Sequence, residues 1–322
     1  MRYRLVVAVV VGVLAASLLP IARADDSGAS RIGVLDVTGS TVQASPDPTT
    51  VAGDGIGPGS PILVDFDEDQ DGEPDLIGLC TANFVWQDAS TGAQYLGAAG
   101  HCFLPSGQTE AEYDGSEVGS NQWVLSVRAC RADCYVGGAT ALVSGALGAP
   151  GLVGDYVELG EVVYARQSAD PAGEDAIGKD FGLVEIPADL VADVRPALPV
   201  WGGPTGTTAG GAGVPTCLYG NAAGFGETFA TKARAGMGLP DMIFDDPGAW
   251  FGAIPSFQGD SGSAVIACDS LGGIGILTHL TANGVAGTTV GRAAFMAQEA
   301  GLSLLLVNGD GSTTTVEPVP YG

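Results

Sequence analysis

Short apolar runs alternate with glycine-rich turns over most of this chain. From Pro61 onward the runs include Pro61–Val64, Leu76–Val85, Gln94–Ala99, Trp123–Val127, Tyr156–Tyr164, Phe181–Ile186, Ala264–Ile266 and Ile274–Leu277. They have strand length, and many hold β-branched residues, which suit a pleated, half-buried surface. Helical periodicity is nearly absent, and alanine-rich Arg292–Ala300 is the clearest helix. The pattern predicts an all-β sandwich or barrel, or two barrels, with no repeat of fixed period. Gly202–Val214 has the composition of a linker between lobes. Residues 25–60 read as a flexible N-terminal segment or short pro-segment, and residues 308–322 as a polar tail that frays. The globular part is then 61–307.

The first 24 residues break the pattern. Arg2 and Arg4 give a positive start, an apolar run extends from Leu5 to about Leu19, and Ala22-Arg23-Ala24 precedes Asp25. This is the form of a cleaved secretory signal peptide, and the apolar run is short for a membrane span. The expected location is extracellular, with no membrane attachment after the signal is removed.

Composition narrows the partners. The 322 residues carry 37 acidic and 12 basic side chains, a net charge of −25. Ten of the bases are Arg, and losing Arg2, Arg4 and Arg23 with the signal takes the charge to −28. Phosphate backbones and anionic lipid need clustered Lys and Arg, so nucleic acid is excluded as a partner. Six cysteines, at 80, 102, 130, 134, 217 and 268, are consistent with three disulfides in an exported chain. Six cysteines allow fifteen pairings, and spacing does not choose among them. With two His in the chain and no CxxC pattern, a structural zinc site is not expected.

Three short stretches carry chemistry. In Gln258-Gly259-Asp260-Ser261-Gly262-Ser263 a Ser flanked by Gly suits a tight turn whose N–H groups converge on one point. In Ala98-Ala99-Gly100-His101-Cys102 a His follows a strand-like run, and neutral imidazole can take a hydroxyl proton. In Lys179-Asp180-Phe181-Gly182-Leu183-Val184 an Asp opens an apolar strand, where burial would let it orient an imidazole. Each alone has a bland reading: a polar hairpin, a packed His, a turn Asp. Together they follow in the order His, Asp, Ser, with gaps of 79 and 81 residues.

In these three pieces the chain resembles the chymotrypsin-like serine peptidases, especially their secreted bacterial branch. The likeness covers roughly Leu76 to Leu305. It implies two six-stranded antiparallel β-barrels packed with the active site between them, and a short C-terminal helix. It implies Ser261 as nucleophile, His101 as general base, Asp180 as its support, and the N–H groups of Gly259 and Ser261 as oxyanion hole. No cofactor is then needed for catalysis, the partner is a protein or peptide substrate, and the expected state is a monomer. The resemblance also implies the bridges Cys80–Cys102 and Cys217–Cys268. Cys130 and Cys134 are left for each other, with free or otherwise paired thiols as the alternative.

The chain departs from that family in places. Arg31-Ile32-Gly33-Val34 is only a faint echo of an activating N-terminus. Thr278 takes the position of a Ser that supports the catalytic Asp, and His279 and Leu280 would line the substrate cleft. Gln258 would flank it. Pro255 stands where trypsin-type members carry a pocket Asp, so a basic side chain is disfavoured and a small or apolar one preferred. Recognition of Glu by charged His279 is a secondary reading.

The stretch Asp65–Asp75 stands apart. Asp67, Asp69, Asp71 and Asp75, with Gly72 at the turn and the Glu73 carbonyl as an extra oxygen, read either as a Ca²⁺ loop or as a solvated acidic hairpin. Two rival functions are carried beside the endopeptidase. One is a catalytically inactive peptidase-like binding module; the other is a calcium-dependent extracellular adhesion protein.

Overall fold

The computed structural model describes residues 35–36, 55–104, 110–111, 123–137, 151–168, 177–221, 232–241, 246–282 and 284–321. The predicted signal peptide and most of the leading segment lie outside these residues. In chain order the strands are β1 (Leu35–Asp36), β2 (Pro61–Phe66), β3 (Leu76–Thr81), β4 (Val85–Asp88), β5 (Gln94–Ala98) and β6 (Glu110–Ala111). They continue as β7 (Val124–Gly137), β8 (Gly151–Glu158), β9 (Val162–Arg166), β10 (Phe181–Glu185), β11 (Pro215–Tyr219) and β12 (Ala233–Leu239). After β13 (Ala249–Ala253), β14 (Ala264–Ala267), β15 (Gly273–Thr281) and β16 (Gly284–Thr289) comes helix α1 (Val290–Glu299). The last strands are β17 (Leu304–Val307) and β18 (Thr313–Thr315).

The all-β expectation holds, with two lobes and the helix where alanine-rich sequence put it. The second lobe is a closed barrel. Its order is β12-β11-β14-β15-β16-β13, and β12 pairs with β13 to complete the ring. Its interior holds Leu218, Trp250, Ile254, Val265, Leu277 and Val285. The first lobe places its core between two sheets. One is β3-β2-β7-β8, and the other runs β18-β17-β4-β5-β10-β9-β6. Ile62, Val64 and Phe66 of β2 meet Val85, Leu96 and Val184 there. The apolar runs of this lobe are rich in Val, Ile and Leu, and many of these side chains are buried, while Leu76 and Leu125 are exposed.

The second lobe uses weak strand formers. β12 reads ARAGMGL and β16 reads GVAGTT. Close packing explains them: a Cβ on Gly275 would fall 2.3 Å from the Trp250 ring, and one on Gly287 would fall 1.8 Å from the Ile276 carbonyl. The space so kept admits the Trp250 indole, whose N–H donates to Ile276 O at 3.0 Å.

After α1 the chain returns to the first lobe, where β17 pairs with β4. Residues 308–321 are therefore not frayed: β18 pairs with β17, Val316 is buried, and Val319 N–H donates to Gly291 O at 3.0 Å. Residues 55–60 also correct the flexible reading. Ile56 is wholly buried and its N–H donates to Asp193 O at 2.9 Å, so an apolar side chain anchors that stretch.

Candidate active site

Register brings the His and Asp stretches together. β5 and β10 are antiparallel with Ala98 opposite Gly182, so the turn after β5 lies beside the residue before β10. That turn is a single 3₁₀ turn, Gly100–Cys102. There the His101 N–H donates to Asp180 Oδ1 at 3.1 Å, and His101 Nδ1 lies 2.7 Å from Asp180 Oδ2. A carboxylate only accepts hydrogen bonds, so the imidazole proton sits on Nδ1 and Nε2 is left as the basic nitrogen. The Asp180 side chain is 3% exposed and that of His101 30%. Burial disfavours charge on both. For His101 it is outweighed by the Asp180 charge and hydrogen bond, which raise its pKa. For Asp180 burial is outweighed by the attraction of His101, which holds the carboxyl below its ordinary value.

Both lobes fix Asp180. Phe181, the next residue, is wholly buried with its ring 5.6 Å from that of Trp86. From β16 the buried Thr288 hydroxyl donates to Asp180 O at 2.8 Å and lies 3.1 Å from the Asp180 N–H. Thr288 carries no mark in the sequence, being one of two adjacent Thr that end a strand of small residues.

The Ser261 turn is folded by its own acid. Asp260 is wholly buried, and its Oδ2 accepts the Phe257 N–H at 2.9 Å. Ser263 N–H donates back to Asp260 O at 2.9 Å. A fully buried Arg234 on β12 forks onto both Asp260 oxygens and also donates to Pro255 O at 2.9 Å. This pair neutralises the turn from inside the protein. The only trace in sequence is an Arg amid the apolar and glycine positions of Ala233–Leu239.

The turn also meets the His stretch. Gly262 has φ +92°, and a Cβ there would lie 2.2 Å from Thr81 O, 3.0 Å from Ala99 N and 3.3 Å from Ala98 Cα. Thr81 N–H donates to Ser261 O at 2.8 Å, and the Thr81 hydroxyl to Gly259 O at 2.7 Å. The residue before Thr81 is Cys80, bridged to Cys102 next to His101. One strand end thus holds both turns. The Asn221 side chain adds a hydrogen bond to the Thr81 hydroxyl at 3.1 Å. Thr81 and Asn221 are likewise unmarked in the sequence, because each acts through a partner more than a hundred residues away.

The cleft residues are arranged as follows. Gln258 is exposed, Leu280 is 52% exposed, and Phe257, between Pro255 and Gln258, is 47% exposed. Thr278 Oγ1 lies 2.6 Å from His279 Nδ1, so its hydroxyl is turned to that imidazole. It is Thr288 that bonds the Asp180 backbone. A register shift between Leu277 and His279 re-aims β15 at this point. Burial lowers the His279 pKa; Asp180 opposes this and charged His101 adds to it.

The Cys217–Cys268 bridge is present, as is Cys80–Cys102. Cys130 is disulfide-bonded, and the Cys134 side chain lies outside the described residues. Cys80, His101 and Cys102 also converge, but the bridge between the two sulfurs removes them as metal ligands.

In the acidic stretch, oxygens of Asp67, Asp69 and Asp71 lie within 4.8 Å of one another; Glu73 and Asp75 are not in that group. Asp67 accepts from Asp71 N at 3.0 Å and Gly72 N at 2.8 Å, and Asp75 from Glu68 N at 2.7 Å. The Asp69 carboxyl is pushed up, chiefly by the charges of Asp71 and Asp75.

No protein-family model matches the chain, and no curated protein does. Among solved structures, protease A of Thermobifida fusca aligns over 77% of this chain and 97% of its own, with 16% identity and a TM-score of 0.40. A Glu endopeptidase aligns over 79% and 94%, with 13% identity and a TM-score of 0.44. The chymotrypsin of Cellulomonas bogoriensis aligns over 77% and 96%, with 15% identity and a TM-score of 0.36.

Proposed function

We propose that the protein is a secreted serine endopeptidase of the chymotrypsin-like type. His101 Nε2 takes the Ser261 hydroxyl proton as Oγ attacks the scissile carbonyl carbon. The N–H groups of Gly259 and Ser261 receive the oxyanion. Collapse breaks the C–N bond, and His101 returns its proton to the leaving amine. Water then attacks the acyl-enzyme by the same proton route, releasing the acid and regenerating Ser261.

The observation that carries this reading is the pair of hydrogen bonds that His101 donates to the buried Asp180 carboxylate. It fixes the tautomer and orientation of a base that is itself open to the cleft. Pro255 in place of an acid supports a small or apolar side chain before the cleaved bond. The decisive test is labelling of the matured protein with an active-site fluorophosphonate. The expected result is one adduct on Ser261, absent in Ser261→Ala. An unlabelled wild type would favour the inactive binding module.

The converging oxygens of Asp67, Asp69 and Asp71, and the crowding that raises Asp69, support Ca²⁺ as a structural ion in that turn. Calcium titration of the thermal midpoint tests it. The expected rise disappears in Asp69→Asn, and no rise at millimolar Ca²⁺ rejects the ion together with the adhesion reading.

A further inference from the structure

The segment after β18 closes over the backbone that leads to Asp180. Arg292 on α1 is wholly buried. Its Nε donates to Val319 O at 2.8 Å and its Nη2 to Pro320 O at 3.1 Å. The other arm, Nη1, donates to Gly178 O at 3.3 Å, and the charge is matched by Asp246 at 2.6 Å. Gly178 stands two residues before Asp180.

Tyr321 completes the grip. Its ring centroid lies 4.4 Å from the Arg292 guanidinium carbon, 5.5 Å from Lys179 Nζ and 5.2 Å from the Arg166 guanidinium carbon. Phe295 packs against it edge-on, with centroids 5.4 Å apart. Cations over an aromatic face are attracted by its quadrupole, so the ring draws in Lys179, the residue next to Asp180. One guanidinium and one ring therefore hold both residues that precede the acid. Beyond the acid, Thr288 bonds its main chain and Phe181 is locked in the core.

We propose that Arg292 and Tyr321 are positioning residues for Asp180, holding its carboxylate in register with His101 across the two lobes. This rests on the serine-peptidase reading. Neither residue touches a reacting atom; each acts through the Gly178–Lys179 backbone. The stretch Val319–Tyr321 then helps to position the acid, where the sequence suggested an idle tail.

The test uses Tyr321→Leu, Arg292→Lys and a chain ended after Pro318, each as matured protein. Rates are measured against pH and normalised to Ser261 titrated with fluorophosphonate. The expected result is a fall in kcat of about tenfold to hundredfold, with KM within about twofold. The acid limb of the profile moves to lower pH, because a loosened Asp180 no longer raises His101. Asp180 is the titratable group that shifts His101, and His279 stands near enough to feel the charges of both.

A second readout does not depend on activity. The chain has two His, so the His101 titration can be followed by NMR in a Ser261→Ala background. Tyr321→Leu should lower its midpoint by about half a pH unit. An unchanged midpoint and unchanged normalised kcat, with only a lower melting temperature, would overturn the proposal and leave the segment a plain stabiliser. A wild type that takes no label while the midpoint still shifts would sink the peptidase reading and spare the positioning role.

Discussion

Arg234→Met isolates the buried ion pair under the Ser261 turn. Arg234 and Asp260 are both fully buried, and the Asp260 carboxylate receives the guanidinium fork and the Phe257 N–H. Removing Arg234 leaves a buried charge with one neutral donor. Breaking such a pair costs about 3–5 kcal/mol, against a typical total stability of about 5–15 kcal/mol. At about 2–4 °C per kcal/mol, the melting temperature should drop by roughly 6–20 °C. The double variant Arg234→Met/Asp260→Asn removes the charge and keeps an oxygen for the Phe257 N–H. It should recover more than half of the loss. Urea unfolding of all forms in a Ser261→Ala background, which prevents self-digestion, measures the cycle. A loss below about 1 kcal/mol in the single variant, or a double variant as damaged as the single, would refute the reasoning that charge neutralisation holds this turn.

Three further outcomes follow from the same contacts. Activity should vanish as pH falls through the raised His101 pKa, because the base must be neutral. Asp180→Asn should move that limb to lower pH and cut kcat by roughly four orders of magnitude, as pH–rate profiles of both proteins will show. Asp88 is buried, which disfavours its charge, but hydrogen bonds from Ser90, Thr91 and Ser303 outweigh this and lower its pKa to about 2. Its stabilising contribution is thus full above its ordinary pKa of 3.8 and lost as pH falls through about 2. Asp88→Ala should cost about 2 kcal/mol at pH 7 and progressively less in acid, read by denaturation against pH. Gly262→Ala drives a methyl into Thr81 O and forces an alanine to φ +92°, so fluorophosphonate labelling should fall at least tenfold even where the protein stays folded.

The sequence showed the strands best where they are made of Val, Ile and Leu. Pro61–Val64 and Phe181–Ile186 fall on β2 and β10, and the less typical Gln94–Ala99 falls on β5; the His stretch follows β5 and the Asp precedes β10. The run Tyr156–Tyr164 is divided, however, because the chain turns at Leu159–Glu161 between β8 and β9. β12 and β16 were not legible at all. Their Gly and Ala residues have low strand propensity, and they become strands because barrel closure supplies hydrogen bonds and the neighbouring chains need the space. Both of these strands serve the candidate site: β12 brings Arg234 and β16 brings Thr288.

By itself, the sequence determined the types and order of the chemical groups. A His beside Cys, an Asp before an apolar run and a Ser in a glycine turn are local patterns, written by each residue's own chemistry and its immediate neighbours. The tertiary structure alone decided what holds them. The support comes from Thr81, Arg234, Thr288, Arg292 and Tyr321, far along the chain from the groups they serve. Burial and convergence are properties of the folded chain, so an Arg inside a weak strand or a Tyr at position 321 carries no mark of its task until packing brings it beside the groups it holds.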